Sequence, residues 1–143
     1  MATRFKAFVI AACASALALC AAVATAHHSA AQFDFGQRVT VEGTVKQFNV
    51  TNPHTWAVVE LKDDKRGTRD AQFEGHSASH FYRAGYTRDM VHVGDKIAIL
   101  IAPRRDGADG GFIQAFTVNG KTVGFGGLSP TGKAADGTGA PAK

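Results

Sequence analysis

Along residues 38–62, RVTVEGTVKQFNVTNPHTWAVVELK, apolar and polar positions alternate in two runs joined through Asn52-Pro53-His54. Val39, Val41 and Val45 interleave with Thr40, Glu42 and Thr44, the period of two that collects one set of side chains on one face of a β-strand. Phe48 and Val50 have the opposite parity to Val45, and Gly43 interrupts the run; a slip of phase after a strand glycine predicts a bulge near Lys46 or Gln47. A long, bent first strand of this kind serves both sheets of a small barrel. Pro53 removes a backbone donor and biases Asn52 away from helix, so residues 51–54 are expected as a turn or strand edge.

Residues 56–61, WAVVEL, predict a second strand buried on most sides, and residues 63–67, DDKRG, a polar hairpin turn. A third strand follows at 68–74, where Ala71 and Phe73 alternate with Asp70, Gln72 and Glu74. The period then changes. Residues 76–84 predict a short helix with Ser77 as its cap, Phe81 and Ala84 inward, and Gly85 at the left-handed position that ends it. Val93-Gly94-Asp95 is a turn into a fourth strand at 96–102, stopped by Pro103. A glycine-containing loop leads to a fifth strand at 112–118, the tight turn Asn119-Gly120, and a last short strand at 121–123.

Three strands, one helix and two more strands is the order of an all-β, five-stranded OB-like Greek-key barrel with one short helix between strands 3 and 4. The alternative arrangement is an open sandwich or meander capped by the helix. No internal repeat is visible, and 143 residues suffice for one core.

Composition changes the picture at the two ends. MATRFK followed by AFVIAACASALALCAAV and Ala24-Thr25-Ala26 has the basic, apolar and small-residue regions of a secretory signal, predicting cleavage after Ala26 and a periplasmic product. The competing readings are a retained anchor, for which the run is short, and a lipoprotein at Cys20, for which the preceding Leu19 is poorly suited. Cleavage removes Cys13 and Cys20, so the mature chain has no disulfide or thiolate chemistry, and leaves no segment for stable membrane insertion. It also leaves 14 basic against 12 acidic residues, too little charge for nucleic-acid binding. The expected organisation is a signal peptide at 1–26, a barrel domain with an extended N-terminal arm at 27–123, and a disordered Gly/Ala/Pro tail at 124–143.

Candidate chemistry centres on the new N-terminus. His27 offers its free α-amine and its own Nδ1 to one metal ion as a chelate, a donor set that suits Cu(II). His28, or His54 on the turn between the first strands, would supply a third nitrogen, giving the T-shaped arrangement of a histidine brace. His76 and His80 are four apart, but a cap at Ser77 leaves His76 outside the helix and favours solvated side chains. Glu74 is either an acceptor orienting an imidazole or the solvent face of the third strand, the second being preferred. Arg105 and Asp106, in Arg104-Arg105-Asp106-Gly107, are the candidates for contact with a small anionic ligand. There is no nucleophile elbow, no phosphate loop and no Ser/His/Asp spacing, so a binding protein is expected rather than an enzyme. The two functional readings are a periplasmic Cu(II)-binding protein and an envelope module that holds a small ligand, glycan or protein partner without metal.

His27-His28-Ser29, Phe33-Asp34, Gly43-Thr44-Val45, Asn52-Pro53-His54, Glu74, Arg83-Ala84-Gly85-Tyr86, Val93-Gly94-Asp95 and Arg105-Asp106-Gly107 together resemble a family of small exported bacterial proteins of unknown function. The resemblance implies a periplasmic domain and carries no activity, substrate or cofactor. Relative to that pattern, this chain has Asn49 and Tyr86 where tryptophan is common, and Ser77-Ala78 near a usual Ser-Pro.

Overall fold

A computed structural model describes residues 28–130. The signal segment with both cysteines, His27 and the tail from residue 131 lie outside the described residues. By contact density the chain divides into a unit ending at Gln32 and a unit beginning at Phe33. In the first, His28–Ala31 (α1) is one turn of helix where an extended arm was expected; the short stretch has no alternating apolar pattern to hold it extended, and its alanines favour helix.

The second unit is a closed barrel. Strands β1 (Val39–Asn49), β2 (Thr55–Asp63), β3 (Gly67–Gly75), β4 (Lys96–Pro103), β5 (Gly110–Val118) and β6 (Lys121–Gly124) are ordered β3-β2-β1-β4-β5-β6, and a parallel pairing of β3 with β5 closes the ring. This is the OB-like five-stranded connectivity, with the helix α2 (Ala78–Arg83) between β3 and β4.

β1 pairs with β2 along one edge and β4 along the other, and its register against β2 shifts between Val45 and Gln47, where the parity slip places a bulge. Before the bulge Val45 enters the core; after it Phe48 does, paired with the buried Ala57. Gly43 allows the bend, since a Cβ there would lie 2.5 Å from the Glu60 carbonyl oxygen. The turn before β4 docks on the bulge through Val45 N–H to Asp95 O (2.9 Å) and Gly94 N–H to Val45 O (2.8 Å).

The core joins Val45, Val59, Phe73, Ile99, Ile113, Phe116, Val118 and Val123. Phe81 of α2 is fully buried with them, its ring 6.2 Å from Phe48, 6.1 Å from Phe116 and 5.0 Å from Phe125. Gly75 makes room for it: a Cβ there would stand 2.9 Å from the Phe81 ring. This plug fixes the helix, and with it the residues between Gly75 and Arg83, against one end of the barrel.

The chain expected to become a featureless tail at 124 packs onward instead. Gly124 belongs to β6, Phe125–Gly127 forms a 3-10 turn, and Thr40 Oγ1 donates to Pro130 O at 3.2 Å. Glycine-rich composition hid one anchoring aromatic, Phe125.

Candidate functional site: a histidine and carboxylate corner

The turn leading into β2 is built by its own polar groups. Asn52-Pro53 is a cis peptide, Thr51 Oγ1 donates to the His54 carbonyl at 2.8 Å, and Ala78 N–H donates to Thr51 O at 3.0 Å, tying the turn to the start of α2. His54 is thereby held at the mouth of the β2–β3 ladder.

Alternation along β2 sends Thr55, Ala57 and Val59 inward, so His54 and Trp56 face outward. On β3, Phe73 and Gly75 face inward and Glu74 outward, with Trp56 opposite Glu74 in the register. Yet Glu74 is only 3% exposed, while Trp56 is 47% exposed. The preferred expectation of a solvent-facing Glu74 is corrected: where β3 meets β5, Glu74 pairs with Phe112, and the closure of the barrel buries it.

His54 Nδ1 lies against Glu74 Oε1. With Nδ1 against the carboxyl group, Nε2 is the ring nitrogen left turned away from Glu74, the arrangement in which a metal-ligating histidine is commonly held. The arrangement orients a side chain that would otherwise spin freely on an exposed turn.

His76 and His80 adjoin this pair. Their rings stand 5.2 Å apart and 26° from parallel; His76 also packs edge-on to Phe112 (4.9 Å, 87°) and against Phe125 (4.6 Å, 62°). Burial foremost, and then the neighbouring His80 and His54, hold the His76 imidazole below the ordinary histidine range, favouring its neutral form. His80 Nδ1 is 2.9 Å from Ser77 Oγ. Ser77 occupies the cap position, but its hydroxyl meets His80 and Ser79 and makes no capping bond to the helix backbone. The expectation of solvated residues holds for His80, which is exposed, and fails for His76, which is half-buried.

Arg105 and Asp106 do other work in this structure. Arg104 grips Asp106 through two nitrogens (3.0 and 2.6 Å), which with the Ala108 N–H lowers the Asp106 carboxyl to about 2. Arg105 faces Asp34 at 3.6 Å. The loop thus clasps the segment after α1, which is further held by Asp34 N–H to Pro103 O (2.8 Å) and by Phe33 packed 5.6 Å from Phe112. His92 lies in the turn before β4, beside Asp95 at 3.7 Å.

Of the proposed metal ligands, His54 lies at this corner, His28 falls in α1, and His27 lies outside the described residues. Among the described residues, no three His, Cys, Asp or Glu side chains form a group disposed to hold a metal ion. A groove of about 450 Å³ elsewhere on the outer surface is lined by Glu42, Thr44, Glu60, Lys62, Lys96 and Asn119 and includes no histidine.

The fold and this corner define a class, a small closed β-barrel carrying a carboxylate-oriented histidine at its rim. The chain belongs to a family of unknown function, DUF6152, which matches residues 14–114. No curated protein and no solved structure matches it.

Proposed function

We propose that the chain is an exported, periplasmic binding protein rather than an enzyme, and that it binds Cu(II) with His54 Nε2 as the donor supplied by the barrel. The carrying observation is the contact of His54 Nδ1 with the buried Glu74 carboxylate. The remaining nitrogens come from the mature terminus, the α-amine and Nδ1 of His27, with His28 the alternative third donor.

The test is a Cu(II) titration, read by EPR and by quenching of Trp56, the single tryptophan, on three proteins: one secreted and cleaved at His27, one beginning Met-His27, and His54→Ala. Tight one-to-one binding with a nitrogen-rich spectrum, weakened by both changes, is expected. Weak binding indifferent to both refutes the reading.

A second reading is favoured by the polar groove. Lys62 and Lys96 line it beside Glu60, which pairs with Lys46 at 2.8 Å, and a small anionic ligand or glycan would meet both cations there. That reading is indifferent to the N-terminal residue, to His54 and to Arg105 and Asp106.

A further inference from the structure

The turn between β5 and β6 is Asn119-Gly120, exposed, with both residues at positive φ (48° and 75°) and Val118 paired with Lys121 across it. In an asparagine followed by glycine the side-chain amide is open to attack by the next backbone nitrogen, because glycine carries no side chain to shield that nitrogen. Of the chain's three asparagines only Asn119 has this neighbour: Asn49 precedes the branched Val50, and Asn52 precedes Pro53, whose nitrogen has no proton to lose. The nucleophile is also unengaged, since the Gly120 N–H makes no hydrogen bond among the described residues.

Aspartate before glycine can close the same ring, but the two described Asp-Gly pairs are held. Arg104 grips Asp106 and keeps its carboxyl ionised and therefore a poor electrophile, while the Gly107 N–H is spent on Arg104 O at 3.3 Å. Arg69 grips Asp109 through two nitrogens, and Gly110 is fixed in β5 opposite Gln72. The Asn119 side chain is neutral and has one tie: its Nδ2 donates to Asp95 Oδ2 at 3.0 Å, the oxygen that also accepts the His92 N–H at 2.9 Å.

We propose that Asn119 is a site of spontaneous deamidation, with water as the only co-reactant, and that Asp95 is the latch that slows it. The Gly120 nitrogen attacks Asn119 Cγ and loses its proton; the N–Cγ bond forms, the Cγ–Nδ2 bond breaks, and the amide nitrogen leaves as ammonia with that proton. Water then opens the succinimide at either carbonyl to give aspartate or isoaspartate. Cγ has to turn onto the Gly120 nitrogen, so the Asp95 bond must break first. Either product sets a carboxylate where a donor faced Asp95, turning a hydrogen bond into a like-charge contact, and isoaspartate lengthens the main chain of a two-residue turn. The backbone of Asp95 accepts the Val45 N–H at the β1 bulge (2.9 Å), so conversion loosens the tie between the β5–β6 turn and that bulge. The site is independent of copper and of His54.

The experiment ages the full mature chain at mildly alkaline pH and follows it by peptide mass mapping and isoaspartyl methyltransferase labelling, beside Asp95→Ala, Asp95→Asn and Asn119→Asp. Far-UV circular dichroism verifies each fold, and Asp95→Asn, which keeps the shape and weakens the acceptor, covers the case in which alanine unfolds the turn. Conversion is expected at Asn119 and not at Asn49, Asn52 or Asp106, and Asp95→Ala is expected to speed it about tenfold, the worth of one hydrogen bond to a charged group. Asn119→Asp is expected to lower the urea midpoint, and to do so less when Asp95 is already alanine. If Asn119 stays intact while a free peptide of residues 116–123 converts, the site is overturned. If neither Asp95 variant changes the rate, the latch is overturned.

Discussion

At the scale of single residues, the decisive pairing is Glu74 with His54. A carboxylate with 3% of its surface exposed must be compensated by donors, because an isolated buried charge costs far more than a barrel wall contributes. His54 Nδ1 lies against it, and the contact sets the orientation of the ring. Glu74→Gln keeps the shape and weakens the acceptor; the expected result is a 10- to 100-fold loss of Cu(II) affinity, about the usual cost of removing such an orienting partner, measured by competition against a chelator of known strength. Unchanged affinity would reduce the pair to a structural contact. Part of this pairing was legible in the sequence. The DDKRG turn sets Asp63 opposite Gly67, and counting back along both strands brings Trp56 to Glu74 and Thr55 to Gly75. Parity alone, however, reads Glu74 as solvent-facing, because its cover is Phe112, a residue 38 positions away that arrives only when β3 pairs with β5.

Among the elements, the bent strand was the most legible, since a parity slip beside a glycine has one structural meaning and the register shift at Val45 to Gln47 realises it. Least legible was the clamp at the barrel seam. Arg69 donates to Asp109 (2.6 and 3.2 Å) and to Asp63 (3.2 Å), while Arg66 reaches the same two carboxylates, so the β2–β3 hairpin is strapped to the loop before β5 next to the Gln72 to Gly110 pairing. Nothing in a polar turn sequence announces a partner forty residues on. The Arg66 and Lys65 backbone N–H groups, with the Arg66 side chain, hold the Asp63 carboxyl at about 2, and Arg69 lowers that of Asp109. A carboxylate depressed in the folded state stabilises it above the unfolded value of about 3.9 and loses that contribution as pH falls through the folded value. Urea unfolding at pH 5, 3 and 2 should therefore show declining stability, with a shallower decline in Asp63→Asn. An equal decline in that variant would place the acid sensitivity elsewhere.

At the scale of the molecule, the described barrel carries at its rim an imidazole set against a buried carboxylate, and the proposed function draws the remaining donors from the terminus that cleavage would create. The barrel could be read from strand order because each element has its own period, whereas the site depends on closure, which no local period encodes. The two contacts on Asp34, from Arg105 and from the Pro103 carbonyl, fix where the described barrel begins. The most direct test of this account is a crystal structure of the secreted, correctly cleaved protein loaded with one equivalent of Cu(II). The account predicts copper about 2 Å from His54 Nε2, with Glu74 still on Nδ1 and the His27 amine in the coordination sphere. Copper held by the terminus alone, with His54 uncoordinated, would contradict it.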